Sequence, residues 1–475
     1  MKILSTYLRT FLLAMVFLGT SCSSSFLELK NPQALPLRGT IKDLATLTTA
    51  SEGVYAQFKG TDYYNRTFIL LPDLLGDNVF ISRSNTGKYL DHDIFAVTND
   101  NGYVLGAWAA MYRVIVNANM AISEGEALAA SDNATKQIIG ELYAARALAY
   151  FDLVRMFAQP YNFTADASHL GVPIVTEPNF EIISPPRSTV KEVYDQIISD
   201  LQHALSLLNT AQKPAHFTPT AANALLAKVY LYTADWSNAE KYATDAISGP
   251  YSLLTTTNYV GSWNANFSVE SLLEIANLAT DNAGVNSISY LYEQAGYGEA
   301  LATADLYETY TATDIRRQLI NVGVRNVTFE NPAYFVKKYP KGGSTNDDNI
   351  KVLRLSEVYL IRAEARAELG KTDASKNALA QQDLNMIVQR ADTEAEEVTL
   401  TGDALVERIL LERRKELAFE GNRFFDLTRR KKDVNHIRSL EEVVYTYPNE
   451  KFVMPIPIAE TNANDNIIQN PGWTQ

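Results

Sequence analysis

The sequence predicts a mainly α-helical protein, in which a tetratricopeptide-like scaffold of about four helix pairs carries large irregular, aromatic-rich insertions. Three observations predict this fold class. Several long stretches place apolar residues at the spacing of one helix face. One such stretch recurs later in the chain in the register of a tetratricopeptide repeat. Between the helical stretches lie two segments that lack this spacing and are rich in Tyr, Asn and Gly.

Composition excludes several classes of function. The chain has 475 residues, of which 46% are hydrophobic and 20% charged, so it can bury a large core. Its formal net charge is −13, whereas nucleic-acid-binding proteins usually carry a basic footprint, so no nucleic-acid partner is expected. A single cysteine rules out an intrachain disulfide, and the five scattered histidines predict no metal site. No cofactor is expected.

The first element is predicted to be a lipoprotein signal peptide over residues 1–21. Two basic residues precede the apolar run Phe11–Leu18, which is too short to span a bilayer. Small residues then lead to Cys22, the expected lipidation site, although Gly19 stands where such signals normally have Leu. Acyl chains on Cys22 would hold the protein on a membrane. An ordinary signal peptide beside a stray cysteine is the alternative.

After a spacer expected over residues 22–36, helical spacing organises a single predicted domain over residues 37–475. Pro185-Pro186 breaks the chain, and Ser188 or Thr189 can cap the helix that follows. The predicted helix pairs lie near 41–122, 136–208, 220–247 and 354–390. The helices predicted in the first two pairs are Ile41–Phe58, Gly106–Ile122, Lys136–Phe157 and Val190–Leu208.

The third and fourth pairs have the register of tetratricopeptide repeats. Small alanines let paired helices approach closely, while Leu226 and Tyr230 are expected to fill the groove between neighbouring pairs. The third pair matches the register at Leu226, Ala227, Tyr230, Ala239, Ala243 and Ala246, and the fourth at Ile361, Ala365, Ala374 and Ala378. Two matches in one chain favour a repeat scaffold.

Two insertions interrupt the scaffold, near 61–103 and 249–349. Loops this long are uncommon unless they serve a binding site. Flat aromatic rings suit the apolar faces of sugar rings, and amide and guanidinium groups can reach hydroxyls. Packing inside the loop is the competing interpretation for each single residue. The candidate ligand-binding residues are Tyr63, Tyr64, Arg66, Asn78, Tyr89, Asn99, Asn101, Trp263, Tyr290, Tyr292 and Tyr297.

Several blocks of the sequence resemble the SusD/RagB family of outer-membrane nutrient-binding lipoproteins. The similarity runs from about residue 40 to the C-terminus. The blocks that carry it are ELYAARALAYFDLVRMF (Glu141–Phe157), PRSTVKEVYDQIISDLQHALSLL (Pro186–Leu208), RLSEVYLIRAEARAELG (Arg354–Gly370), LLERRKELAFEGNRFFDLTRR (Leu410–Arg430) and PIPIAETNANDNIIQNPGW (Pro455–Trp473).

The resemblance implies a binding protein rather than an enzyme. Members of this family sit on the cell surface, anchored by lipid to the outer membrane and facing the cell exterior. Each pairs with a TonB-dependent, SusC-like transporter, to which it delivers captured oligosaccharides. The resemblance also implies that the tetratricopeptide-like face contacts the transporter and that the irregular half carries the ligand site.

Three alternatives stay open at this point. Some branches of the family capture peptides, so peptide capture is the nearest alternative. A surface glycoside hydrolase would need two carboxylates that flank the bond. The carboxylates of Glu357, Glu364 and Glu368, however, alternate with arginines and are predicted to form ion pairs between helices. A pure interaction scaffold is disfavoured because it has no use for large aromatic insertions.

Overall fold

The computed structural model describes residues 39–128, 132–178, 181, 183–210, 213–438 and 441–473. The predicted signal peptide, Cys22 and the spacer lie outside the described residues. The helices are α1 (Leu44–Phe58), α2 (Thr67–Leu74), α3 (Leu90–Asp93), α4 (Gly102–Ala127), α5 (Asn133–Phe157), α6 (Val190–Leu207), α7 (Pro219–Tyr232), α8 (Trp236–Ile247), α9 (Thr256–Tyr259), α10 (Ile288–Tyr292), α11 (Ala304–Glu308), α12 (Leu355–Leu369), α13 (Ser375–Ala391), α14 (Gly402–Glu416), α15 (Arg423–Arg429) and α16 (Ile458–Ala463). The predicted mainly helical fold class is confirmed.

The long helices pack side by side in chain order. Helix α1 packs on α4 and α5, α4 on α5, α5 on α6, α6 on α7 and α7 on α8. Helix α8 then packs on α12, which also contacts α13 and α14. Helices α8 and α12 are therefore neighbours in the scaffold, although the second insertion separates them in the sequence. None of the described helices is long and apolar enough to cross a membrane.

Helix starts follow from their caps. Thr189 begins α6 as predicted: its hydroxyl accepts from the Glu192 N–H, and the Glu192 carboxylate accepts from the Thr189 N–H, 2.8 Å away. Helix α4 starts earlier than expected because the Asn101 side chain accepts from the N–H groups of Tyr103 and Val104. Asparagine is a favoured N-cap residue because its side-chain oxygen satisfies N–H groups that the helix leaves free.

The repeat register holds in the third helix pair. Ala227, Ala239 and Ala243 are fully buried where α7 meets α8, which lets the two helices approach closely. In the fourth pair, Ile361 and Ala365 are buried, but the prediction for Ala374 and Ala378 is wrong because both are exposed. Helix α13 starts only after Ala374, and its buried face comprises Ala380, Leu384 and Ile387 among others.

Short strands join the two insertions to each other. The strands are β1 (Val79–Ile81), β2 (Ser271–Ile275), β3 (Ala300–Ala302), β4 (Ile320–Gly323), β5 (Ala333–Val336), β6 (Ile350–Arg354), β7 (Val434–Arg438) and β8 (Glu441–Tyr445). One sheet has the order β1-β3-β5-β4, and its β1 comes from the first insertion while the other strands come from the second. Phe80 lies opposite Leu301 in the antiparallel β1–β3 pair. The insertions therefore form one body rather than two independent loops.

A buried group of charges, here called the junction network, connects this body to the scaffold. Arg354, at the start of α12, contacts Glu270 of the second insertion, Glu416 at the end of α14 and Glu420 in the segment that follows α14. Arg316 of the second insertion contacts Glu412 and Glu416. The prediction that Glu357, Glu364 and Glu368 form ion pairs between elements is confirmed, since they pair with Lys228, Arg429 and Arg430 respectively. The network comprises Glu270, Asp314, Arg316, Lys338, Arg354, Arg390, Glu412, Lys415, Glu416 and Glu420.

Candidate functional site

Several candidate residues of the first insertion lie in the interior. The hydroxyls of Tyr63 and Tyr64 both donate to the Asp152 carboxylate on α5, at 2.7 and 2.6 Å. The side-chain amide of Asn78 donates to Asp73, 2.7 Å away. All three candidates are at most 3% exposed, so their side chains hold the insertion on the scaffold and leave no face for a ligand.

Two aromatic candidates of the second insertion are also buried. Trp263 is 4% exposed, and its ring lies within 4.6 Å of the Lys338 Nζ and 5.0 Å of the Lys351 Nζ. Tyr292 is fully buried against Tyr339 and Phe419. Burial raises the pKa of Tyr292 well above its usual value. Both rings are part of the core.

Two of the remaining candidates, Tyr290 and Tyr297, come together at the surface. Tyr290 and Tyr297 are half-buried, and their rings meet nearly at right angles, with centroids 4.8 Å apart. The main-chain N–H of Tyr297 donates to the Tyr290 carbonyl, 2.7 Å away, and closes a turn. Gly296 is required in this turn because a Cβ there would lie 2.3 Å from that carbonyl oxygen. The turn therefore brings the two tyrosine side chains next to each other.

A second group of rings comes from the first insertion. Tyr89 stacks on the half-buried Tyr103, with ring centroids 4.0 Å apart, and its hydroxyl accepts from the Arg66 Nε at 2.8 Å. The Arg66 guanidinium also lies 5.8 Å from the Tyr103 ring centroid and donates to Asn286, just before α10. Arg66 thus connects the first insertion to the part of the second that holds Tyr290.

Contacts across the two insertions make these groups one surface. The Lys88 Nζ lies 4.3 Å from the centre of the Tyr297 ring, and the next residue is Tyr89. Arg325 donates to the carbonyls of Tyr297 and Ser84. The Arg83 guanidinium covers the ring of Phe329, which is 37% exposed. The tyrosine surface is defined by Arg66, Arg83, Lys88, Tyr103, Tyr290, Tyr297, Arg325 and Phe329.

The phenols of Tyr89 and Tyr103 stay protonated near neutral pH. Burial raises the pKa of Tyr89 to about 12, even though Arg66 acts to lower it. Burial likewise raises the pKa of Tyr103, again against the effect of Arg66. Beneath the rings, burial lowers the pKa of His92 to about 3, so this histidine is neutral. The surface can therefore offer ring faces, hydroxyl groups and positive charge to a ligand.

Asn99 and Asn101 complete the list of candidates. Asn101 serves as the N-cap of α4, so its side-chain oxygen is already engaged with the helix. Asn99 is half-buried, and its carbonyl accepts from the N–H of Ile458 at 2.8 Å. Neither residue is joined to the tyrosine surface by the contacts described above.

A cleft on another part of the molecule suits a ligand less well. It has a volume of about 450 Å³ and lies between α14 and the start of the β7–β8 hairpin. Its charged walls are already paired: Arg423 binds Asp77 through two nitrogens, and Lys432 binds Glu407. Within the described ranges, no group of three or more His, Cys, Asp or Glu side chains is arranged to hold a metal ion.

Sequence reasoning missed part of the surface. Lys88, Tyr103 and Arg325 are not among the candidate ligand-binding residues predicted from the sequence. Tyr103 enters that prediction only as the last residue of the first insertion. Their role depends on contacts between residues far apart in the chain, such as Arg325 with Ser84. One local signal was available: Lys88 and Tyr103 lie in the aromatic segment that precedes the second scaffold helix.

Comparisons with known proteins agree with this architecture. Residues 25–231 match a family model described as starch-binding and associating with the outer membrane, and residues 321–473 match the model of the SusD family. The chain is similar to a curated SusD-like protein P2 of Formosa agariphila, with 27% identity over 96% of this chain and 98% of the relative.

Solved structures give the same result. A putative sugar binding protein from Bacteroides vulgatus is 32% identical, with a TM-score of 0.83 over 92% of this chain and 100% of that structure. A SusD superfamily protein from Bacteroides thetaiotaomicron is 28% identical, with a TM-score of 0.82 over 90% of this chain and 99% of that structure. Proteins of this kind bind ligands and are not catalytic, which confirms the prediction that the chain is not an enzyme. The chain therefore belongs to the SusD/RagB family of tetratricopeptide-like, outer-membrane carbohydrate-binding proteins.

Proposed function

We propose that this protein captures oligosaccharides at the tyrosine surface and delivers them to a partner TonB-dependent outer-membrane transporter. The observation that carries the proposal is the nearly perpendicular packing of the half-buried rings of Tyr290 and Tyr297, on a surface that also holds the half-buried ring of Tyr103. An aromatic ring offers a flat apolar face, which matches the C–H face of a pyranose. Rings at different angles can hold two sugar units of a bent chain.

Polar groups beside the rings are suited to sugar hydroxyls. Arg66 is 7% exposed and offers the donors that Tyr89 and Asn286 leave free, and the phenol hydroxyls of Tyr290 and Tyr297 can donate or accept. Arg66 is held in place by the hydroxyl of Tyr89, so its donors are oriented before a ligand arrives. Preorganised groups lose less freedom on binding, which favours affinity. Of the candidates predicted from sequence, Arg66, Tyr290 and Tyr297 are retained as proposed ligand contacts, with Tyr89 as their support.

The similar proteins support the proposal at the level of ligand class. The Bacteroides vulgatus structure that is 32% identical is described as a putative sugar binding protein. One matching family model is described as starch-binding. The identity of the sugar, its linkage and its length follow from neither description, so the first experiment is a comparison of ligands.

Lipid anchoring and docking on the transporter complete the proposal. Cys22 would carry the lipid and hold the protein on the outer membrane, facing the cell exterior. The helical side would contact the SusC-like transporter, as the family resemblance implies. Exposed apolar side chains support this assignment: Leu379 and Met386 are 39% and 47% exposed and lie two turns apart on one face of α13.

Calorimetric titration of the protein with oligosaccharides and short peptides tests the proposal. We expect saturable heat with one class of glycan. Tyr290→Ala and Tyr297→Ala should each weaken this binding by about 2 kcal/mol, or roughly 30-fold in Kd, as for central aromatic contacts in other interfaces.

Tyr242→Ala is the matched control. Tyr242 is also half-buried, stacked on another tyrosine and covered by a lysine, but it lies on the scaffold helix α8. Glycan binding that survives both Tyr290→Ala and Tyr297→Ala would place the ligand elsewhere. Saturable heat with peptides alone would favour the peptide-binding alternative. Heat that continues after saturation would mean turnover and would contradict a purely binding role.

A further inference from the structure

A cavity of about 300 Å³ lies where helix α1 meets the segment before α7 and the residues that follow β2. It shares no residue with the tyrosine surface. Ligand sites usually have volumes of about 300–1,000 Å³, so a cavity at the lower end of this range suits one small molecule rather than a chain. The lining of this α1 cavity includes Glu52, Tyr55, Lys59, His216, Leu278 and Asp281.

One imidazole in the lining is fixed by groups on its far side. His216 is 8% exposed, and its Nδ1 lies 2.9 Å from the carboxylate of Glu141 on α5. Glu141 is itself 1% exposed, and the ring of Tyr55 packs on the imidazole with centroids 4.3 Å apart. The other ring nitrogen, Nε2, lies 3.3 Å from the carboxylate of Glu52. Packing therefore holds a buried polar group with its second nitrogen toward a carboxylate of the cavity.

The two groups that face each other there are both acceptors. The Glu141 carboxylate accepts, so Nδ1 of His216 donates to it, and Nε2 of a neutral imidazole is then an acceptor. The Glu52 carboxylate opposite Nε2 is an acceptor as well. Two acceptors 3.3 Å apart are stabilised by a molecule that donates to both. Hydroxyls on neighbouring carbon atoms can do so, and a sugar ring carries such hydroxyls.

The rim of the cavity can rearrange at little cost. Lys59, directly after α1, forms an ion pair with Asp281 of the second insertion. The side chains of Asp281 and Glu52 are 69% and 57% exposed. Exposed ion pairs contribute little to stability, so a ligand can replace their contacts. The cleft beside α14 differs in this respect, because its Arg423–Asp77 pair is largely buried.

The charges of the lining favour a neutral ligand. The Lys59 ammonium would repel a cation, whereas Glu52 and Asp281 would repel an anion. Both kinds of group bind hydroxyls, since an ammonium donates and a carboxylate accepts. Leu278 is exposed and adds an apolar wall that suits the C–H face of a sugar ring. The cavity thus places donors, acceptors and an apolar wall around space for one small neutral molecule.

We propose that the α1 cavity is a second carbohydrate site, which binds a single sugar unit. The sugar hydroxyls donate to the His216 Nε2 and the Glu52 carboxylate and accept from the Lys59 ammonium, while the C–H face lies on Leu278. The inference goes beyond the proposed function, because this site does not use the tyrosine surface. The same chemistry fits a free monosaccharide or the end unit of a captured chain.

Saturation-transfer NMR on the full chain tests the proposal with glucose, galactose, mannose and the methyl glycoside of each. We expect saturable binding of at least one of these neutral sugars. A free sugar that binds better than its methyl glycoside would identify a monosaccharide as the ligand. Equal binding of the two forms would identify the end unit of a chain, because the methyl group stands where the next sugar would be attached.

Two variants locate the binding. Glu52→Gln places an amide donor opposite Nε2 and removes the need for a ligand hydroxyl there, so binding should weaken about fivefold or more. Ala56→Leu should weaken it at least as much, because Ala56 lines the cavity from an exposed position on α1 and the larger side chain takes up space there. Glu407→Gln is the matched control, since Glu407 is also 57% exposed but lies on α14.

The outcomes separate this site from the tyrosine surface. Monosaccharide binding should survive Tyr297→Ala, and a loss with Tyr297→Ala or Glu407→Gln equal to that with Glu52→Gln would overturn the proposal. Binding that neither Glu52→Gln nor Ala56→Leu changes would also overturn it. No saturable signal with any of these sugars would overturn it as well, and would mean that water or a proton on His216 satisfies the facing groups. Oligosaccharide capture that depends on Tyr297 would remain intact in each case.

Discussion

Replacing Arg354 with methionine tests whether the junction network holds the insertions on the scaffold. Arg354 is 2% exposed and binds Glu420 through two contacts of 2.7 Å, Glu270 at 2.7 Å and Glu416 at 3.1 Å. Methionine keeps much of the side-chain volume but removes the positive charge. Three buried carboxylates would then share the remaining cations. The effect on Glu420 is the largest, because Lys338 is then the one ion-pair partner that Glu420 keeps among the described residues.

The pKa of Glu420 shows that this buried carboxylate is stabilised by its cationic partners. Burial by itself raises the pKa of Glu420, yet Arg354 and Lys338 hold that pKa below its usual value. Removing one partner from a buried, hydrogen-bonded ion pair costs about 3–5 kcal/mol. A folded body of about 430 residues has an unfolding entropy near 0.9 kcal/mol/K at about 2.1 cal/mol/K per residue, so Tm should fall by about 3–6 °C.

Thermal unfolding followed by circular dichroism measures this shift. The control is Lys191→Met, which breaks an exposed pair with Asp195 on α6, where both side chains are more than half exposed. Exposed pairs of this kind contribute at most about 1 kcal/mol, so the control should lower Tm by about 1 °C or less. Equal shifts for Arg354→Met and Lys191→Met would refute the reasoning that the network anchors the insertions.

Three further predictions follow from single residues. Burial raises the pKa of Asp348 to about 6, above its ordinary 3.8, so stability should be lost as pH rises from about 4 to about 6. Asp348→Asn should flatten that part of a plot of Tm against pH; an unchanged slope would contradict the assignment. Cys22→Ala should release the protein from the membrane fraction, and retention there would exclude lipid anchoring. Met386→Glu should reduce co-purification of the transporter without changing glycan affinity, and an intact complex would place the contact on another face.

The sequence was enough to predict the scaffold because its signals are local. Helical spacing and caps lie within a few residues of one another, so the start of α6 at Thr189 could be read directly. The predicted repeat register is wrong at Ala374 and Ala378, at the start of α13. Both alanines match the repeat pattern but lie outside the buried face of the helix. Alanine tolerates both buried and exposed positions, so its spacing alone cannot show which side of a helix is covered.

The ligand surface could be predicted only as a region. The sequence indicated the aromatic insertions, but it could not separate Tyr292, which is fully buried, from Tyr290, two residues earlier and half-buried. In a short helix such as α10, neighbouring side chains point in different directions. Whether a tyrosine serves the core or a ligand therefore depends on what packs against it.

Composition and local spacing were sufficient to identify the helical scaffold, the family and the lack of a basic footprint for nucleic acid. Which residues lie together on the tyrosine surface depends on long-range packing. Arg66, Lys88, Tyr297 and Arg325 become neighbours because a strand of the first insertion pairs with one of the second, at Phe80 and Leu301. Pairing between strands so far apart in the chain leaves no local pattern, since it depends on the scaffold bringing both insertions to the same place.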